Sequence, residues 1–213
     1  MSYPPAKFAG ADREAALQIA AATRFATLAA VHDGDLLTVH LPLTLVAQGG
    51  DGTAVLVGHL LRNNPLFLAM QAGPVAARAM FVPANGYVSP SVYAEKPVSG
   101  KVVPTWNYVA AHLDGSAELV AETDLHRILE IQAADYEGAT GGDWAVADAP
   151  ADFVDGLARA IAGFRFAATG FLAIRKLSQN RNDTDRAAVT DWLGRTRPES
   201  GDISWWMAEA GQG

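Results

Sequence analysis

Phe25-Ala26-Thr27-Leu28-Ala29-Ala30-Val31-His32-Asp33-Gly34-Asp35-Leu36-Leu37-Thr38-Val39-His40-Leu41 decides the fold class. Two short apolar runs, 25–31 and 36–41, flank an Asp-Gly pair, the dipeptide that most readily takes the left-handed turn joining two antiparallel strands, so this stretch is a β-hairpin. Upstream, Asp12 caps an alanine-rich helix that ends near Thr23 or Arg24 and sets Leu17 and Ala20 on one face. Downstream, Gly49-Gly50-Asp51-Gly52 is a second turn leading to a strand at 53–57, and Asn63-Asn64-Pro65 opens a short helix to about Met70. Strand signals resume at 75–82, and 84–115, rich in Pro, Gly, Ser and aromatics, is expected to hold strands joined by structured loops. Residues 123–136 and 150–161 carry apolar positions at helical spacing, 164–177 alternates as a long strand, and 183–193 is a final helix with Val189, Trp192 and Leu193 as its stripe. Strands first and helices later predict an α+β barrel with peripheral helices. No repeat or linker divides the chain, so a single domain over 1–213 is expected, with helical additions at about 123–162 and 183–194.

Composition narrows the class. Half of the 213 residues are hydrophobic and 18% are charged, below the ~25% of an average globular chain, which excludes a disordered or fibrous protein and points to surface buried in an oligomer. No apolar run approaches the ~20 residues that span a bilayer, and Met1-Ser2-Tyr3-Pro4-Pro5 lacks a basic-then-apolar leader pattern, so a soluble, cytoplasmic protein without membrane contact is expected. The chain has no cysteine, which removes disulfides, iron–sulfur clusters, thiolate nucleophiles and cysteine-bearing zinc sites.

The net charge of −7 is the wrong sign for general attraction to nucleic acid, but its distribution is uneven. Residues 114–155 hold eleven acids against the single base Arg127, whereas 159–197 holds eight bases against Asp183, Asp185 and Asp191. The basic stretch is expected to face either an anionic ligand or the acidic stretch of the same fold.

Hydrolytic motifs are absent. There is no His-Glu-x-x-His and no Gly-x-Ser-x-Gly, and the five histidines show no ligand spacing, so no metal is assigned, although a spatial cluster of His40, His59 and His112 stays open. The glycines at 49–52 and 138–142 lack the strand–glycine–helix setting of a phosphate loop. Hydrogen-bonding, cationic and aromatic residues concentrate in three other places. At 58–65, His59, Arg62 and Asn63 precede a helix start, where backbone N–H groups, helix dipole and guanidinium suit a phosphate; a surface arginine beside a cap is the alternative. At 103–112, an extended chain would set Trp106 and Tyr108 on one face and Asn107 on the other, with Trp106 equally suited to a core. At 176–181, Lys176-Leu177-Ser178-Gln179-Asn180-Arg181 gathers polar and cationic groups at a strand end.

Three runs carry a resemblance: Gly86-Tyr87-Val88-Ser89-Pro90-Ser91; Val103-Pro104-Thr105-Trp106-Asn107-Tyr108 with His112 and Gly115; and Lys176 through Arg181. Together with His40-Leu41-Pro42, Gly58-His59-Leu60, Arg62 and Asn64-Pro65, they resemble the PaiB-type FMN-binding negative transcriptional regulators over nearly the whole chain, departing at Val92 and at 83–85. The resemblance implies an FMN-binding split β-barrel, six-stranded and antiparallel, forming a homodimer with flavin sites shared between subunits. Carried onto this sequence, it places Arg62 and Asn63 at the FMN phosphate, with Thr38, His40 and His59 lining the same groove. Lys176, Gln179 and Asn180 become ring or phosphate contacts, and Trp106 and Asn107 wall residues. Lys176 is the cation that would stabilise reduced flavin at its pyrimidine edge. No catalytic residue is assigned. A flavin-binding repressor is the function implied, an FMN-dependent oxidoreductase the alternative. DNA contact has only the basic stretch to support it.

Overall fold

The computed structural model describes residues 5, 7–10, 12–196, 203, 206 and 207. Six strands of eight to sixteen residues carry the sheet: β2 (Phe25–His32), β3 (Asp35–Pro42), β5 (Ala54–Leu61), β6 (Val75–Val88), β7 (Thr105–Leu119) and β8 (Ile161–Lys176). Two short strands, β1 (Ala9–Gly10) and β4 (Thr44–Gln48), complete it. The strand order is β3-β2-β6-β7-β8-β5-β4, with β1 paired to β8. The helices are α1 (Arg13–Thr23), α2 (Pro65–Met70), α3 (Lys96–Ser99), α4 (Leu125–Thr140), α5 (Ala151–Ala158) and α6 (Asp183–Thr196).

The chain divides into two compact units, and β6, β7 and β8 contribute residues to both. The hairpin unit comprises Thr23–Phe81 and His112–Phe171. Its register follows from the turn: Asp33 and Gly34 both have positive φ, and β2 and β3 pair antiparallel from His32↔Asp35 to Phe25↔Pro42. β5 pairs antiparallel with β4 and with β8, and Leu28, Leu56, Phe81, Phe164 and Phe166 are fully buried within this unit.

The terminal unit comprises Met1–Ala22, Val82–Ala111 and Leu172–Gly213. Here Asp12 caps α1 as expected, accepting from the Ala15 N–H at 3.0 Å, and α1 buries Ala16, Leu17, Ile19 and Ala20. Val189 and Leu193 of α6 are buried, and β6 runs close beneath α6 at Gly86, where a Cβ would lie 2.7 Å from Leu193 Cδ2.

Two expectations shift. β4 lies in a stretch, 42–48, given no element by the sequence reading, and the helix predicted over 150–161 ends at Ala158. Ile161 opens β8 instead, and the face predicted to bury Phe153 and Leu157 leaves both exposed while Ala158 is buried.

Candidate functional site

In the hairpin unit the sequence-selected residues take separate partners. Thr38 is exposed on β3, opposite Ala29. His40 Nδ1 lies 2.9 Å from the Thr27 hydroxyl across the hairpin, and His59 Nδ1 lies 2.7 Å from Gln132 Oε1. Gln132, buried on α4, donates in turn to the Tyr136 hydroxyl at 2.8 Å, so His59 belongs to a hydrogen-bonded chain that fastens α4 to β5. Arg62 donates from Nε to the Ile161 carbonyl and from Nη2 to Glu122, both at 2.9 Å, and its guanidinium carbon is 5.7 Å from the Phe67 ring centre. A phosphate at Arg62 would therefore have to displace a carboxylate. Asn63 is exposed, and the cap of α2 is its neighbour Asn64, which accepts from the Leu66 N–H at 2.9 Å. Arg62, Phe67 and Glu122 line a cavity of about 200 Å³; Thr38, His40 and His59 are not on its wall. Among the described residues no group of three His, Asp or Glu side chains is arranged to hold a metal.

One electrostatic pair stands out in this unit. Arg78 on β6 grips Asp114 on β7 with two hydrogen bonds, 2.6 and 2.9 Å, which holds the Asp114 carboxyl below its usual range. His112 beside them is pushed below the ordinary histidine value, by burial first and by the Arg78 charge second.

The terminal unit gathers more of the expected residues. Asn107 is 1% exposed, and its amide is tied to Ser178 in both directions: Nδ2 donates to Ser178 Oγ at 3.0 Å and Oδ1 accepts from it at 3.1 Å. Asn107 thus positions the 177–181 loop. Ser178 needs that support, since it is buried with a φ of 64°. Lys176 Nζ donates to Thr105 Oγ1 at 2.5 Å and to the Trp106 carbonyl at 2.6 Å. Burial lowers its pKa. Gln179 turns back on its own loop, accepting from the Leu177 N–H at 2.7 Å and donating to the Arg175 carbonyl. Trp106 is 47% exposed and meets Tyr87 edge to face, ring centres 6.2 Å apart.

Asn107, Lys176 and Asn180 line one cavity of about 240 Å³, and Tyr93 and Arg181 share its wall. Arg181 closes the polar, cationic run 176–181 singled out in the sequence, whereas Tyr93 lies in none of the three stretches chosen there. The available signal was an aromatic in the Ser-Pro-Ser-Val-Tyr stretch ending at Tyr93, and a cation closing the run from Lys176. Arg181 stacks on Tyr93, its guanidinium carbon 4.2 Å from the ring centre. Asp185, 2% exposed, holds the adjoining loop by accepting from the Ala94 N–H at 3.0 Å.

This chemistry fits a flavin mononucleotide, whose phosphate needs cations and neutral donors and whose ring needs planar or apolar faces. Lys7, Lys176 and Arg181 line the cavity with no Asp or Glu beside them among the described residues, and the exposed Trp106–Tyr87 pair supplies aromatic surface in the same unit.

Comparison with known proteins agrees. Residues 2–170 match the family described as "Putative FMN-binding domain", and the chain belongs to that family. It is similar to "Protease synthase and sporulation protein PAI 2" of Bacillus subtilis (strain 168), 28% identical over 191 residues, 90% of this chain and 88% of the relative. Among solved structures it resembles the FAD and heme binding protein from Mycobacterium smegmatis, with a TM-score of 0.58, 18% identity, and coverage of 84% of this chain and 79% of the other. It also resembles the flavocytochrome Anf3 from Azotobacter vinelandii, with a TM-score of 0.52, 15% identity, and coverage of 85% and 75%. The fold is the flavin-binding split barrel, and FMN is the cofactor that family membership assigns.

Proposed function

We propose that this protein is a cytoplasmic, homodimeric regulator of the PaiB type that represses transcription in response to its flavin. Family membership over residues 2–170, joined to the likeness with the Bacillus subtilis protein across 90% of the chain, is the observation that carries the reading. When bound, FMN supplies a two-electron redox centre and a coloured, dianionic ligand. The chain's own residues bind and orient it: Lys176 and Asn180 offer polar contacts, Trp106 a wall, and Asn107 holds the loop that carries Asn180. Gln179 is a further proposed contact in the terminal unit, and Thr38, His40, His59, Arg62 and Asn63 are the contacts proposed within the hairpin unit. Arg62 serves only if Glu122 releases it. Both units serve a single functional domain over 1–213.

The low charged fraction favours a homodimer, which light scattering would register as twice 22.4 kDa. Transcript profiling tests the regulatory step. Deleting the gene should raise a defined set of transcripts, and the intact protein should restore them; an unchanged profile would refute repression. The oxidoreductase alternative is read separately, by whether a reduced nicotinamide bleaches the bound flavin without oxygen. The proposed regulator leaves the flavin oxidised under that treatment.

A further inference from the structure

Tyr93 is 2% exposed, yet its hydroxyl is buried without a hydrogen-bond partner among the described residues. A buried donor left unpaired is costly, and a phenylalanine would pack the same space without that cost. Tyr93 lines the terminal-unit cavity, and the guanidinium stacked on its ring makes no ion pair among the described residues. Lys7 and Lys176 bring the cations on this wall to three, and no Asp or Glu among the described residues lines it. Burial draws the Lys176 ammonium out of water, lowering its pKa without an opposite charge in contact. Three cations and the uncharged amide of Asn180 line the cavity, and Tyr93 on the same wall keeps an unspent hydroxyl, a set that complements an oxyanion carrying nearly two charges and three acceptor oxygens. At about 240 Å³ the cavity lies below the ~300–1,000 Å³ of pockets that enclose whole drug-sized ligands, so it suits a phosphate group better than an isoalloxazine ring.

We propose that Tyr93, Arg181 and Lys176 form a phosphate-monoester site in the terminal unit, with the Tyr93 hydroxyl and the Arg181 guanidinium as its specific donors. The phosphate is either that of FMN or that of a separate phosphorylated metabolite. Only the first form rests on the flavin reading.

The full chain, Tyr93→Phe and Arg181→Ala are titrated with inorganic phosphate in a phosphate-free buffer, by calorimetry and thermal melting. The intact protein should bind and be stabilised. Tyr93→Phe should weaken phosphate binding about tenfold, and Arg181→Ala about tenfold to a hundredfold. Tyr93→Phe should also melt higher than the intact protein when no ligand is present, because it deletes the unpaired hydroxyl. Absence of phosphate binding, or equal binding by all three proteins, overturns the proposal. FMN and riboflavin are then compared on the same proteins. Loss of FMN affinity with riboflavin affinity unchanged assigns the site to the flavin's phosphate. Unchanged FMN affinity beside lost phosphate affinity assigns it to a separate metabolite. Failure of the flavin reading alone would show as phosphate binding with no binding of FMN.

Discussion

Ser178 carries a φ of 64° at a buried, non-glycine position, a conformation that costs on the order of 1–3 kcal/mol and persists only where neighbours enforce it. Asn107 is the neighbour that enforces it. Replacing Asn107 with Ala strands the Ser178 hydroxyl and frees the loop, so urea denaturation should show a loss of about 1–3 kcal/mol. A loss below about 0.5 kcal/mol, the range of neutral surface changes, would contradict this role. His112 gives a pH signature. Burial and Arg78 depress its folded-state pKa, so the unfolded chain takes the proton more readily. Its contribution is therefore complete above the ordinary histidine value and is lost as pH falls through the lower, folded value. Melting temperatures taken between about pH 5 and 8 should fall on the acid side, and His112→Gln should flatten that fall. A slope unchanged by the substitution would reject the assignment. At this scale the sequence was a partial guide. The motif runs contained Asn107 and Lys176, but nothing in one dimension shows that Asn107 spends its amide on Ser178, or that Glu122 occupies Arg62 across sixty positions of chain.

β7 and β8 approach closely at Gly115, where an added Cβ would overlap the Ala167 carbonyl oxygen and lie 2.8 Å from its carbon. Backbone cannot yield as a flexible side chain can. Gly115→Ala should therefore destabilise by about 1–3 kcal/mol or prevent folding, read by denaturant titration or by soluble yield. Wild-type stability would show that the strands separate without cost. On α2, Asn64→Ala should cost about 1 kcal/mol by removing the side-chain acceptor for the Leu66 N–H. Elements with local punctuation were legible: the Asp33-Gly34 turn, the Asp12 cap and the Asn64-Pro65 start all fall where expected. β4 escaped because its strand character comes from pairing with β5, from Thr44↔Val57 to Gln48↔Ala54, through a register shift that no local pattern announces. α5 was overextended because Ile161 continues the helical spacing of Phe153 and Leu157, while the Ile161↔Leu61 pairing draws it into β8.

Over the whole molecule, the basic stretch seen in the sequence divides between two uses. Arg165 pairs with Glu118 from the acidic stretch, and Arg186 and Arg195 pair with Asp183 and Asp191 on their own helix, while Lys176 and Arg181 face the terminal-unit cavity. Among the described residues few of these cations remain for a polyanion, and the net charge is −7. Any association with DNA should therefore be weak and fall steeply with salt, as followed by fluorescence anisotropy; tight binding persisting at about 200 mM salt would contradict this electrostatic account. At this scale the chain acts as a holder of FMN. Equilibrium dialysis of the purified full chain against FMN, with thermal melting of the same samples, tests it most directly. Flavin should be retained saturably, with a stability gain of about 2.7 kcal/mol at a hundredfold excess over Kd. Flavin that equalises across the membrane, with a melting temperature that does not move, would contradict it.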